Sequence, residues 1–249
     1  MPRAGPRGEP VLTPEQIRSF DANGYVKVEE LLTPMEVHSL KECLEELLQG
    51  RLHWPRRCFQ TLDASRYTAP SGEPMPEGIQ LPAGQDPRFR AIADHPRLVA
   101  VMKDLIGPNV TRYTDQVILK SPGISPATFF HQDGFYWRNT PEKTINCWIA
   151  LDDAELGNGC LRFLPGSHRW GLQEHERYFD EPTLHSGETG QPFQRLRIPL
   201  DQVDFSQEVA EPVNAGGALL FLKYTWHRSD PNRSSQPRRA YAIAYHEAI

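Results

Sequence analysis

One histidine and one aspartate stand two positions apart in the segment 129–137, which reads FFHQDGFYW. Side chains two apart on a β-strand leave the same face, so we expect His131 and Asp133 to point together while Gln132 points away. Imidazole nitrogens and carboxylate oxygens are both common metal ligands. The spacing therefore predicts two ligands of a metal site, and a third ligand must come from another part of the chain.

His227 is the candidate for the third ligand, because it follows the strand-like run 218–224. Two histidines and one carboxylate on one side of a metal leave coordination positions open. Such a facial triad suits iron(II) chemistry with dioxygen rather than a closed structural site. The sequence thus predicts that His131, Asp133 and His227 hold iron(II) and carry the catalysis.

Arg238 begins a later strand-like run and is a candidate for binding a co-substrate. By period-two alternation it shares one face with Ala240, Ala242 and Ala244, while Tyr241, Ile243 and Tyr245 take the other. The alanine face leaves space in which a guanidinium can bind a carboxylate through two hydrogen bonds, and Ser229 can add a third. A dicarboxylic keto acid fits, with its 2-oxo-carboxylate end on the metal and its far carboxylate on Arg238.

Three motifs together resemble the phytanoyl-CoA dioxygenase family. They are HQD at 131–133, NGCLRFLPGSH at 158–168, and His227 with Ser229 followed by Arg238. The resemblance extends from about Leu12 to the C-terminus. It implies a mainly β fold with flanking helices, a double-stranded β-helix of the jelly-roll, cupin-like type, and oxidation that depends on iron(II), 2-oxoglutarate and O2.

The resemblance also implies roles for individual residues. His131, Asp133 and His227 match the iron ligands, Arg238 and Ser229 match the residues that hold the far carboxylate of 2-oxoglutarate, and Trp148 and Gln116 match positions that line the co-substrate pocket. Some family members replace the metal-binding aspartate with a small residue and halogenate their substrates. This chain keeps Asp133, which favours hydroxylation or another oxidation that starts with hydrogen abstraction.

The substrate side is predicted from residue types around the metal motif. Aromatic side chains that follow the motif are candidates for the walls of the site, and basic side chains are candidates for gripping an anionic substrate. The candidates are Phe135, Tyr136 and Trp137, with Phe129 and Phe130, and the cations Lys120 and Arg138, with Lys143 and Arg228. Ordinary strand packing for the aromatics, and a solvated face for the cations, are the alternative readings.

The elements that must position these residues fall into a helical front and a β-rich remainder. Thr13-Pro14 and Thr33-Pro34 each begin a capped helix, a third helix is predicted over 96–106, and a short strand is predicted over 25–28. Strand-like runs follow at 110–119, 144–151, 160–164, 195–198, 208–212, 218–224 and 239–246. We expect one domain over 13–249, a disordered tail over 1–12, and an irregular segment over 49–87 that acts as a lid.

Composition excludes several classes of partner. The chain has 249 residues, a formal net charge of −5 and basic residues that are scattered rather than clustered, so no nucleic-acid partner is expected. A run of about 18 apolar residues, long enough to cross a bilayer, is not found, and neither is a signal peptide, so we expect a cytoplasmic protein that does not bind membranes. The four cysteines lack metal-site spacing and are expected to be reduced. No oligomeric state is predicted.

The favoured function is an iron(II)/2-oxoglutarate-dependent dioxygenase that acts on a small-molecule metabolite. One alternative is a catalytically silent protein that keeps the fold and the pocket to bind a ligand. A second is an acyl-CoA 2-hydroxylase, and a third is a cupin-like isomerase or hydrolase that uses the metal without a keto acid. The last of these leaves Arg238 without a role.

Overall fold

A computed structural model describes residues 11–63, 66–178, 182–192 and 194–248. The helices are α1 Pro14–Asn23, α2 Pro34–Leu48, α3 Pro82–Gln85, α4 Pro87–Ala93, α5 Pro96–Ile106 and α6 Asp133–Tyr136. Both predicted capping boxes are present: Thr13 and Thr33 accept hydrogen bonds from the third residue of their helices, whose side chains bond back. The predicted helix over 96–106 is confirmed as α5.

In the described ranges, fourteen strands are numbered in the order of the chain. They are β1 Tyr25–Val28, β2 Phe59–Leu62, β3 Pro76–Gln80, β4 Val110–Lys120, β5 Thr128–His131, β6 Ile145–Ala150, β7 Leu161–Phe163, β8 Glu176–Tyr178, β9 Leu184–Ser186, β10 Arg195–Arg197, β11 Val209–Glu211, β12 Ala218–Leu222, β13 His227–Ser229 and β14 Arg238–Glu247. Each of the seven predicted runs contains or coincides with one of these strands to within a few residues, which confirms the β-rich second half.

Two antiparallel sheets make up the body of the protein. The larger has eight strands in the order β1-β12-β6-β14-β4-β3-β2-β9, and the smaller has four in the order β11-β7-β13-β5. Strands β8 and β10 pair with each other. This arrangement, a jelly roll with helices on one side, confirms the predicted fold class.

Strand β14 is central to the larger sheet and separates two apolar cores. Tyr241, Ile243 and Tyr245 pack in the core that also contains the buried residues of α2 and α5. Ala240 and Ala242 belong to a second core, which includes side chains of the smaller sheet such as Phe163. The predicted alternation is therefore confirmed, and the alanine face of β14 looks into the space between the sheets.

The segment 49–87 is not the irregular stretch that its sequence suggests. It contains β2 and β3, which join the larger sheet through the pairs Ile79 with Val117 and Gln60 with Ser186. Proline at the start of β3 and Gly78 within it obscured the strand pattern. The Gln60 side chain occupies the space where a Cβ of Gly78 would lie. The part played by this segment as a lid stays a prediction.

The predicted N-terminal tail ends earlier than expected. Residues 1–10 lie outside the described part of the chain, but Leu12 is buried and its backbone N–H, like that of Val11, donates to the Asp104 carboxylate. Leu12 is therefore part of the folded domain. Across the described ranges no helix is both long and apolar enough to span a bilayer, and the cytoplasmic location stays a prediction.

Candidate active site

The two histidines of the predicted triad face each other across neighbouring strands. His131, the last residue of β5, and His227, the first residue of β13, are register partners, and their ring centroids are 4.2 Å apart. Asp133 Oδ1 lies 3.8 Å from the Nε2 atom of each histidine. One ligand atom from each of the three residues lies within 4.8 Å of the other two, a spacing that can hold one metal ion.

Backbone carbonyls orient both imidazoles. The Nδ1 atom of His131 lies 3.0 Å from the carbonyl oxygen of Phe129, and Nδ1 of His227 lies 3.0 Å from that of Thr225. A carbonyl oxygen only accepts, so each Nδ1 carries the proton and donates it. In the neutral form of each ring, Nε2 is then the unprotonated nitrogen, as metal-binding histidines require.

Asp133 is fixed by a residue that the sequence did not single out. It begins α6 rather than continuing β5, and Asn146 Nδ2 donates to its Oδ2 at 2.8 Å, which leaves Oδ1 directed at the histidines. Asn146 shares a face of β6 with the predicted pocket residue Trp148, so strand alternation was the signal that could have found it. The Asn146 bond places the carboxylate as a ligand-orienting contact does in metal sites.

Burial controls the protonation of the triad. The pKa of His131 lies well below its usual value, mainly because the ring is buried and next because of the charge of His227. Burial also raises the pKa of Asp133, and the charge of His227 and the Asn146 hydrogen bond oppose this rise. At neutral pH His131 is therefore neutral, the form that binds a metal.

Gln132 points away from the metal ligands, as predicted, and anchors the turn between them. Its side-chain NH2 donates to the carbonyl oxygens of Gly171 and Tyr224, and its Oε1 accepts from Gln173 N. Its backbone N–H donates to Nε2 of His175 at 3.0 Å. Sequence analysis gave neither Gln132 nor His175 a role in the site. Together they tie the ligand turn to the loop around residue 173.

Arg238 lies fully buried beside the triad and has unmet hydrogen-bonding capacity. Its Nε and Nη1 atoms find no hydrogen-bond partner among the described residues, and neither does Nε1 of Trp148, whose ring centroid lies 5.2 Å from the guanidinium carbon. Burial lowers the pKa of Arg238 to about 10, and the negative charge of Glu77 acts against this. Buried donors without partners are costly, so this end of the site is built for an anion.

One cavity of about 140 Å³ joins the triad to this guanidinium. Nine of the predicted site residues line it: His131, Asp133, His227, Arg238, Ser229, Trp148, Gln116, Lys120 and Arg228. Lys120 is buried and is the register partner of Arg238, and its ammonium donates to the carbonyl oxygen of Pro126. Sequence analysis missed other lining residues, among them Glu77, Thr128 and Arg195.

The other predicted substrate residues do not line this cavity in the described part of the chain. Phe135 packs on the ring of His175 at 4.3 Å, and the Arg138 guanidinium lies over Phe135. Trp137 meets Tyr113 edge-on, while Tyr136 is half exposed with its ring 6.5 Å from that of His131. Their contact with a substrate stays a prediction.

Comparison with known proteins identifies the family. The model of the family described as phytanoyl-CoA dioxygenase matches residues 20–240, most of the chain. The protein belongs to the phytanoyl-CoA dioxygenase family. Family membership and the His131, Asp133, His227 cluster confirm the predicted class and cofactors: it is a 2-oxoglutarate-dependent non-haem iron dioxygenase.

Curated relatives agree with this family, and solved structures agree with its fold. Phytanoyl-CoA dioxygenase domain-containing protein 1 of Danio rerio is 25% identical and the match covers 94% of this chain and 89% of the relative. Methylphosphonate hydroxylase of Gimesia maris is 28% identical, and the match covers 94% of this chain and 80% of the relative. The apoform of EctD from S. alaskensis superposes with a TM-score of 0.75 at 20% identity, and the match covers 98% of this chain and 80% of that chain. EvdO2 from Micromonospora carbonacea var. aurantiaca, complexed with 2-oxoglutarate, superposes with a TM-score of 0.69 at 23% identity, and the match covers 96% of this chain and 92% of that chain. At these identities the two structures bear on the fold alone.

Proposed function

We propose that this phytanoyl-CoA dioxygenase family member hydroxylates a small-molecule metabolite, or otherwise oxidises it by C–H abstraction, while 2-oxoglutarate is decarboxylated to succinate. The observation that carries the proposal is the pairing, in one cavity, of a two-histidine, one-carboxylate cluster with a buried guanidinium whose Nε and Nη1 atoms have no hydrogen-bond partner among the described residues. A cupin-like enzyme without a keto acid would leave that guanidinium unexplained.

In this proposal His131, Asp133 and His227 ligate the iron through Nε2, Oδ1 and Nε2. The carbonyls of Phe129 and Thr225 and the amide of Asn146 hold these atoms in place before the metal arrives. When bound, iron(II) would enable dioxygen to oxidise both 2-oxoglutarate, which gives succinate and carbon dioxide, and a C–H bond of the substrate. Retention of Asp133 supports hydroxylation rather than halogenation.

Arg238 and Ser229 are proposed to bind the far carboxylate of 2-oxoglutarate, with Trp148 and Gln116 as walls. A guanidinium fork matches a carboxylate with two parallel hydrogen bonds, and burial strengthens such a contact. Gln116 is held in position by Gln80, whose Nε2 donates to Gln116 Oε1 at 3.0 Å. Because Trp148, Leu161 and Phe221 line the same cavity, they help to exclude water from the bound co-substrate.

The size of the cavity supports a small substrate. Its volume of about 140 Å³, part of which the co-substrate would fill, is below the range of about 300–1,000 Å³ that is usual for pockets of drug-sized ligands. An acyl-CoA could place only part of its acyl chain inside, so this alternative is less favoured. The relative named methylphosphonate hydroxylase supports both hydroxylation and a compact substrate.

Two measurements test the proposal. Iron(II) and 2-oxoglutarate added without oxygen should produce a weak visible charge-transfer band in the wild-type protein, and Arg238→Ala should weaken it. Succinate release across a panel of small metabolites should then rise above the basal rate with the true substrate. A protein that binds ligands equally well without metal, and never releases succinate, would be the silent binding protein instead.

A further inference from the structure

A second guanidinium lines the same cavity and reaches it from another part of the fold. Arg195 begins β10, the strand that pairs with β8 outside the two large sheets, and its register partner is Tyr178. Arg238, by contrast, belongs to the larger sheet. The cavity is therefore lined by arginines from separate parts of the fold: Arg238 from the larger sheet, Arg228 from the smaller sheet and Arg195 from the β8–β10 pair.

Contacts hold Arg195 next to the strand that carries His131. Its Nη2 donates to Oγ1 of Thr128 at 2.7 Å, and Thr128 is the first residue of β5, which ends at His131. Arg195 and the three metal ligands line the same cavity.

The other cations of the cavity wall have different surroundings. Arg228 is ion-paired with Glu208 at 2.7 Å and with Asp230 at 2.6 Å. Lys120 is directly opposite Arg238 in the larger sheet, so we assign its charge to the end of the cavity where 2-oxoglutarate is proposed to bind. Arg195 differs from both in that its guanidinium donates to a side chain of the histidine strand β5, the hydroxyl of Thr128.

We propose that Arg195 binds an oxyanion of the substrate, so that the oxidised metabolite is a small carboxylate- or phosphonate-bearing acid. The inference rests on the proposed function, which assigns Arg238 to the carboxylate of 2-oxoglutarate. A guanidinium binds carboxylate and phosphonate oxygens alike through paired hydrogen bonds. The Thr128 hydroxyl fixes the orientation of the fork, and a metabolite held there has its remaining carbon atoms near the triad.

Calorimetric titration of the anaerobic protein loaded with iron(II) and 2-oxoglutarate tests this proposal. The probes are methylphosphonate, inorganic phosphate, propionate and the neutral propionamide. At least one oxyanion should bind the wild-type protein while propionamide does not, and preference among the probes separates a phosphonate from a carboxylate substrate. Arg195→Gln should weaken that binding about tenfold or more. Arg195→Lys should weaken it less, because the positive charge remains although the fork is lost. Thr128→Val should have the smallest effect, because the guanidinium itself remains.

Arg197→Gln is the matched control, since Arg197 lies on the same strand, pairs with Glu176 and does not line the cavity. This variant should bind the oxyanion as the wild type does. Arg195→Gln should keep the charge-transfer band with 2-oxoglutarate, which separates loss of the substrate contact from loss of folding or of the co-substrate site.

Three results would overturn the proposal: no oxyanion binds the wild type, Arg195→Gln binds it unchanged, or a tenfold rise in 2-oxoglutarate displaces it. The last would assign the oxyanion to Arg238. Absence of the charge-transfer band in the wild type is a separate result, which would contradict the proposed function and this inference with it.

Discussion

His131 and His227 are directly opposite each other on adjacent antiparallel strands, and their rings are 4.2 Å apart. Strand register therefore sets the distance between two of the three ligand atoms, and the Nδ1 bonds to Phe129 and Thr225 set their direction. Only the carboxylate of Asp133 depends on a side-chain contact for its orientation within this cluster. That difference makes Asn146 the most informative residue to change.

Asn146→Ala should lower the affinity for iron(II) about 10- to 100-fold, the usual effect of removing a residue that orients a metal ligand. The Asp133 carboxylate would lose its 2.8 Å bond and rotate more freely. Anaerobic titration with iron(II) measures the change. Asn158→Ala is a suitable control, because this buried asparagine bonds only within its own turn, to Glu155 N and the Asp153 carbonyl oxygen. Equal iron affinity in Asn146→Ala and wild type would rule out the orienting role.

Arg238→Ala should raise the KM for 2-oxoglutarate about 100-fold, because truncating one partner of a buried charge pair costs about 2–5 kcal/mol. Arg238→Lys keeps the charge but loses the fork, so an intermediate value is expected. The neighbouring Arg239 gives a matched control, since its guanidinium points to the opposite side and bonds Asp152 and Glu45. Arg239→Gln should lower the melting temperature and leave the KM unchanged. A normal KM in Arg238→Ala would remove the co-substrate role.

Strand and helix periodicity predicted most of the elements that position the site. The alternation around Arg238 identified the face of β14 that borders the cavity, and proline with threonine marked the starts of α1 and α2. Residue type and spacing were enough to find the triad because metal ligands form a small chemical set. The strand and helix patterns are local in the sequence, so a single chain reveals them, and His227 was identified by its residue type at the end of such a strand pattern.

Features that depend on distant pairing were missed. Strands β2 and β3 are stabilised by β4 and β9 rather than by their own composition, and proline and glycine hid their alternation. Asn146, His175 and Arg195 act through contacts with residues far away in the sequence. Strand alternation could have found Asn146, but nothing in the local pattern distinguishes His175 or Arg195 from an ordinary polar residue on a surface.

Asp152→Asn should reduce stability at neutral pH but have little effect in strong acid. Burial acts to raise the pKa of Asp152, yet hydrogen bonds from Arg239 and Lys41 outweigh it and hold the pKa below the usual value. A carboxyl with a depressed folded-state pKa stabilises the protein above its unfolded pKa of about 3.9, and this contribution is lost as the pH falls through the folded pKa. Urea unfolding of both proteins from pH 7 to pH 3 measures the difference in the free energy of unfolding. A difference that is constant over this range would contradict the ion-pair explanation.

Gly159→Ala should destabilise the protein by about 1–3 kcal/mol, the usual cost of forcing a side chain into the left-handed region. Gly159 has a φ of +87°, and a Cβ there would lie 2.5 Å from the Asp230 carbonyl oxygen and 2.9 Å from Cδ of Lys120. Because Lys120 is the register partner of Arg238, displacing it should also raise the KM for 2-oxoglutarate. Gly157→Ala is the control: no described atom outside its neighbours lies within 4 Å of its Cβ position, so a change within about 0.5 kcal/mol is expected. Urea unfolding and 2-oxoglutarate kinetics on both variants test this pair, and equal stabilities would show that the turn at Gly159 tolerates a side chain.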